Sequence, residues 1–147
     1  MRQETSNKKI VRDYLEKIVN TGNIENIADY ISTDYAEVFN GQRFEVGLEG
    51  AKAHVLGVRN NYPDLKLVVE NQIAENDWVA TCYTMTGIHA GDWLGMQPTG
   101  KMMRVTGVNT DRIRNGKIVE HGGAANMFEA YLEIGGIEIV RKETPAD

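Results

Sequence analysis

Cysteine is nearly absent from this chain of 147 residues: Cys82 stands alone, so no internal disulfide can form. It lies in an apolar strand pattern and reads as a small core residue. No apolar run approaches the roughly 20 residues needed to span a bilayer. The opening M-R-Q-E-T-S-N-K-K is followed by no hydrophobic segment suited to a signal peptide. The setting expected from these absences is soluble, reducing and cytoplasmic. Clustered positive charge is also lacking. The net charge of −5 argues against a nucleic-acid or anionic-membrane surface, since both require grouped Lys and Arg.

Several motifs are missing as well. The three histidines form no H-x-x-x-H, there is no C-x-x-C, and neither G-x-G-x-x-G nor a Walker loop occurs. No Ser or Cys nucleophile is set beside a base. Neither a metal nor a cofactor is expected. There is no internal repeat, low-complexity tract or linker.

What remains is ordinary globular composition, with 41% apolar and 25% charged residues. A chain of this length buries about 68–70% of the surface exposed when unfolded, enough for one core. One domain over 1–147 is expected, with an ordered core from about 6 to 136 and a frayed tail over 141–147.

The spacing of Ile10, Val11, Tyr14, Leu15, Ile18 and Val19 predicts an amphipathic helix from Ser6 to Asn20, stopped by Thr21-Gly22. Asn23 caps a second, shorter helix carrying Ile24, Ile27, Ala28 and Ile31. A short strand follows from Tyr35 to Phe39. A third helix runs from Gly47 to Asn60 or Asn61, with Leu48, Ala51, Val55 and Val58 on one face, and Pro63 ends it.

The rest reads as antiparallel sheet. Leu65 to Ala74 alternates, with Leu67, Val69, Asn71 and Ile73 on one face. Trp78 to His89 is a long strand rich in β-formers. Gly91 to Gly100 is a loop. Met102 to Arg114 and Lys117 to Ala125 pair across Asn115-Gly116, both of which accept the positive φ of a type I′ turn. A last helix runs from Asn126 to Ile134 and closes on Gly135-Gly136. The expected class is α+β: a cone-shaped half-barrel of curved antiparallel sheet, with three N-terminal helices and a short C-terminal helix enclosing a pocket.

Strand parity selects the residues that share a surface. Met103, Val105, Gly107, Asn109, Asp111 and Ile113 form one face and suit a cavity wall. Val119, His121 and Gly123 share a face of the next strand. His121 titrates near neutrality and can exchange protons in either direction, or it is a structural histidine bonded inside the barrel. Glu37, polar within Y-A-E-V-F, either faces solvent or faces the cavity, where burial would raise its pKa and make it a base. Asn126 with Glu129 forms a capping box, which competes with a role in the pocket. His89 is a loop contact or a donor at the pocket rim. His54 packs or lies on the surface. The expected lining is Tyr14, Val105, Gly107, Gly123, Asn126 and His89.

The segments V-R-D-Y-L-E-K-I-V-N-T-G-N, G-L-E-G-A-K, N-Y-P-D-L, G-I-H-A-G-D-W-L-G-M-Q-P-T-G-K and R-I-R-N-G-K-I-V-E-H carry a resemblance over most of the length. The chain resembles the SnoaL-like polyketide cyclases of the nuclear transport factor 2-like superfamily. The resemblance implies ring closure by intramolecular aldol condensation of an aromatic polyketide ester, without metal or cofactor. It also implies an acid/base aspartate two residues after E-H, where this chain has Gly123. The family's supporting histidine on the neighbouring strand corresponds to Asn109, and the glutamine two residues before it to Gly107. An acidic residue that often opens the last helix corresponds to Asn126, and a tryptophan after E-H to Gly122.

Glycine cannot transfer protons, so the family's mechanism cannot run through position 123. The run Gly122-Gly123-Ala124-Ala125 instead removes side-chain volume and should widen the cavity there. The expected function is a small-molecule pocket protein for an aromatic or apolar carbonyl compound. As a cyclase or isomerase it would use His121, with Glu37 as alternate base and Asn109 as oxyanion donor. Two alternatives stand beside it: a non-catalytic binding or dimerisation module, and a cofactor-independent hydroxylase. Homodimerisation or higher self-association through the outer sheet face is what the family implies.

Overall fold

The computed structural model of the chain describes residues 2–92 and 95–142. Residues 93 and 94 of the expected Gly91–Gly100 loop, and residues 143–147 of the expected tail, lie outside the described residues.

Helix α1 (Gln3–Tyr14) starts three residues earlier than its apolar spacing predicts and continues into a single π turn, Leu15–Val19. Asn20 N–H reaches back to the Leu15 carbonyl at 2.9 Å, the i→i−5 bond that defines such a turn. The extra residue turns Tyr14, Leu15 and Val19 together toward the interior, where all three line a cavity. Gly22 then terminates the helix at φ +74°, a conformation glycine adopts without steric cost. Asn20 pins this end to the sheet: its side-chain amide donates to the Leu67 carbonyl at 2.9 Å and accepts from Leu67 N–H at 2.7 Å. Arg59 satisfies the carbonyls of Val19 and Asn20 at 3.1 and 3.0 Å, tying the end of one helix to the other. The expected second helix is a 3-10 segment, Ile24–Asp29, and the Asn23 side chain makes no capping bond.

Six strands follow: β1 (Ile31–Phe39), β2 (Gln42–Glu45), β3 (Lys66–Glu75), β4 (Trp78–Ile88), β5 (Met102–Arg114) and β6 (Lys117–Ala125). Helix α2 (Gly47–Asn61) lies between β2 and β3, and α3 (Met127–Ile134) follows β6. The strand order is β2-β1-β6-β5-β4-β3. All pairings are antiparallel except β1 with β6, which is parallel. The sheet is therefore mixed, and β1 begins at Ile31 rather than Tyr35. Strand β2, which the sequence pattern does not announce, turns back through Asn40-Gly41 with φ of 51° and 75°. The Asn115-Gly116 turn has the same left-handed pair, 51° and 73°.

Two bulges revise the expected faces. Between Val69 and Asn71 the β3–β4 register shifts, so that Leu67 and Val69 point inward but Ile73 turns outward and is 64% exposed. Between Arg112 and Ile113 the β5–β6 register shifts: Ile113 pairs with Ile118 while Asp111 pairs with His121. Val119 is the extra residue, and Ile118 rather than Val119 occupies the inward place below His121. Cys82, opposite Val108, lies on the outer face and is half-buried, not in the core.

The curved sheet forms a cone with α1, α2 and α3 packed on it. Its core holds Val11, Ile18, Ile27, Ile31, Val79, Val105, Ile113 and Ile118, all 3% exposed or less. Truncating such a residue to alanine removes roughly 2–5 kcal/mol for a leucine or isoleucine. None of the described helices is long and apolar enough to cross a membrane.

Candidate active site

The core stops short of filling the cone. A cavity of about 220 Å³ remains, lined by Tyr14 and the π turn on one side, α2 on another, and the inward residues of β4, β5 and β6. Tyr35, Tyr83, Met85 and Val105 supply much of the wall. His54, Asn109 and His121 supply polar groups. A second, more open lobe of about 190 Å³ shares His54, Tyr83, Asn109 and His121, and extends over Gly122-Gly123-Ala124-Ala125. The polar groups thus sit where an apolar chamber meets a vestibule whose floor has almost no side chains.

Sheet register sets the arrangement. Glu37 of β1, His121 of β6 and Asp111 of β5 are lateral neighbours in one row across three strands. Paired residues project to the same face, so the imidazole is flanked by two carboxylates. Asp111 is 2% exposed, and its Oδ1 accepts from His121 Nδ1–H at 2.8 Å. This bond leaves His121 Nε2 as the atom free to exchange a proton with a ligand. Burial works against a charged His121 ring. The charge and hydrogen bond of Asp111, with a further contribution from Glu37, outweigh it and hold the pKa above the ordinary histidine value.

A second pair faces the first. His54 Nδ1 lies 2.6 Å from Glu37 Oε1, which also accepts from the Tyr35 hydroxyl at 3.2 Å. The His54 and His121 rings are 5.7 Å apart, centre to centre, and nearly edge to face at 67°. Glu37 therefore faces the site, but not as a base with a raised pKa. Burial pushes its pKa up, yet His54, His121 and the Tyr35 hydroxyl together pull it below the usual carboxylate value. Tyr14, Tyr35 and Tyr83 have phenols pushed upward by burial and remain neutral donors near pH 7. No lysine or arginine is among the described lining residues, and no group of three or more metal-binding side chains forms among the described residues.

The other candidates separate. Tyr14, Val105 and Asn109 line the inner cavity. Gly123 lies on the vestibule floor, directly paired with Asn109. Gly107 is covered by Tyr83: a Cβ there would collide with the Tyr83 hydroxyl. Asn126 precedes α3 but caps no backbone N–H; its side chain donates to Glu129 at 2.7 Å on the exposed surface. His89 does not line the cavity. It is fully buried between the Tyr62 and Tyr131 rings, and its Nδ1 accepts from Thr99 N–H at 3.3 Å, which anchors the loop.

Three residues escaped the sequence reading. His54 reads from the sequence only as a packing or surface residue, although it falls between Ala51 and Val58 on the apolar face of its helix and its ring meets Glu37. Asp111 was on the inward face by parity, yet its pairing with His121 depends on a bulge. Tyr35, 2% exposed, carried no polar signal.

An open, curved sheet closed by helices over a pocket is the architecture of the nuclear transport factor 2-like fold. Within it, the chain belongs to the SnoaL-like polyketide cyclase family, whose model matches residues 9–134. It is 28% identical over 121 residues to the aklanonic acid methyl ester cyclase AcmA of Streptomyces galilaeus, covering 79% of this chain and 82% of that one. Among solved structures, a candidate SnoaL-like polyketide cyclase from Jannaschia Sp. CCS1 superposes with a TM-score of 0.82 at 24% identity, over 94% and 97% of the two chains. AclR of Streptomyces galilaeus, a candidate hydroxylase, gives 0.79 at 27% identity, over 95% and 87%.

Proposed function

We propose that this protein is a cofactor-independent acid/base enzyme that cyclises or isomerises an aromatic or apolar carbonyl compound. The observation that carries the reading is the His121–Asp111 pair, set with one ring nitrogen free at the junction of an apolar chamber and an open vestibule. Fused rings suit the chamber walls of Tyr35, Val55, Met85 and Val105, and a polar substituent suits the vestibule. Asn109 supplies a neutral amide donor toward a carbonyl or enolate oxygen. Filling of the pocket by Met103, Met127 and Phe128 would favour the binding-module reading instead. Met103 is in the core, Phe128 is 60% exposed, and Met127 lines the cavity wall beside about 220 Å³ of open space.

The test is conversion of aklanonic acid methyl ester, the compound named for the relative AcmA. His121→Ala should lower kcat by about 10²–10⁴-fold while the fold survives. Unchanged turnover removes His121 from the mechanism. The likeness to AclR favours a second reading, hydroxylation with oxygen and a reductant; oxygen consumption coupled to product would establish it in place of cyclisation.

We also propose that the chain associates with itself through the outer sheet face. Val68, Ile73 and Val108 are 44%, 64% and 41% exposed there, beside Thr84, Thr106 and Thr110 and between Arg104 and Arg112 at the ends of the strand. A mass of one chain by light scattering would exclude this.

A further inference from the structure

We propose that His54 is a second catalytic residue with a role opposite to that of His121, and that Glu37 is its positioning residue. The proposal rests on the acid/base reading above and assigns its two proton transfers to separate imidazoles.

The geometry that points to it is the repetition of one device. Each ring places Nδ1 against a carboxylate oxygen, at 2.8 Å for His121 and 2.6 Å for His54. Each therefore turns Nε2 away from its carboxylate, and both rings line the chamber and the vestibule alike. The carboxylates come from different strands, β5 and β1, and the histidines from a strand and a helix. The two rings stand edge to face in contact, 5.7 Å between centres, so a ligand in the cavity meets both from the same side. A histidine held only for packing needs no carboxylate at its rim, and His54 is 42% exposed in its side chain.

Ring closure between an activated carbon and a carbonyl requires a proton to leave carbon and another to reach oxygen. Neutral His54, with its Nδ1–H donating to Glu37, takes the proton at Nε2. The carbon's electron pair then forms the new C–C bond, and the C=O π pair moves to oxygen. That oxygen takes the proton from His121 Nε2–H. His54 ends one proton richer and His121 one poorer, so a single transfer from the first ring to the second, directly or through water, restores the starting state. The substrate gains and loses one proton, and no oxidant or reductant is involved. The flanking carboxylate Asp111 favours the cationic form of His121 that this assignment requires. The other titratable groups facing the two rings are Glu37 and Tyr35 from β1, Asp111 from β5, Tyr14 from α1 and Tyr83 from β4. No fixed cation is among the described lining residues, so a developing oxyanion depends on His121 and on neutral donors.

Two measurements on the full chain test this. In the first, the pH dependence of kcat on aklanonic acid methyl ester is compared for wild type and His54→Gln. Wild type should give a bell. His54→Gln should fall by about 10²-fold or more and lose the acid limb, while the alkaline limb stays. A variant that slows but keeps both limbs makes His54 structural and overturns the proposal. In the second, the ring nitrogen shifts of the free wild-type protein are read by NMR near the pH of greatest activity, or near pH 7 if the ester is not turned over. His54 should be neutral with its proton on Nδ1 while His121 carries two protons. Both rings in the same charge state, or the reverse assignment, overturns the proposal. In Glu37→Gln the share of the Nδ1–H form of His54 should drop; an unchanged tautomer removes Glu37 as its positioning residue. Failure of wild type to convert the ester counts against the acid/base reading itself, and the NMR result still decides the division of roles.

Discussion

The sheet wall and the helix wall of the cavity hold the same chemical device by different means. On the sheet wall, His121 and Asp111 are cross-strand partners in a continuous ladder, and Asp111 is 2% exposed. On the helix wall, His54 meets Glu37 only because α2 docks on β1, and both side chains remain partly in water, at 42% and 24%. Coulomb attraction between unit charges at about 4 Å is near 1 kcal/mol in water and about four times larger near a protein surface. The buried pair is the less screened of the two and couples charge more strongly, while the half-exposed pair couples it more weakly and also fixes orientation.

The largest effect should come from breaking the sheet pair. Asp111→Asn keeps the shape but removes the charge that opposes burial, so the His121 pKa should fall. The catalytically protonated form is then lost at lower pH, and the alkaline limb of the rate profile should move down while kcat drops by about 10²–10⁴-fold. Stability follows the same linkage. Because the folded His121 pKa lies above the ordinary value of 6.5, the pair contributes fully below that pH. The contribution disappears as pH rises through the folded value. Denaturation between about pH 6 and about pH 9 should show wild type losing this increment and Asp111→Asn lacking it. A variant with an unmoved limb would mean that the ladder pair sets no charge.

A smaller effect sharpens the same contrast. Gly123 has φ +151°, and a Cβ there would collide with the Val108 carbonyl. Gly123→Asp, which restores the acid of the resemblance, should not restore that acid's function. It should instead cost about 1–3 kcal/mol in denaturant unfolding, from backbone strain. Equal or greater stability would show that the sheet wall yields as readily as the helix wall.

These differences also explain what was legible in advance. The run from Trp78 through Asn115-Gly116 to Ala125 alternates cleanly and turns on a pair that few other structures accommodate, so its strands follow from the residues alone. Strand β2 is exposed along its whole length, and no apolar period marks it. The bulges at Glu70 and Val119 change parity without changing composition. The match of Glu37 with His121 depends on a parallel pairing of distant strands, which no local pattern encodes. His54 went unrecognised for the same reason: its partner is on another element. The family's acid position, Gly123, faces Asn109, and the carboxylate–imidazole pair lies at the next inward position, Asp111 and His121.

The parallel contact between β1 and β6 has a kinetic consequence. Glu37 and His54 come early in synthesis, and both must wait for a strand near the far end of the chain before the site exists. Closing so long a loop slows folding more than it weakens the product. A nascent chain halted before residue 117 would carry Glu37, His54 and Asp111 but not His121, so neither the His121–Asp111 pair nor the pocket wall of β6 exists until that strand is made.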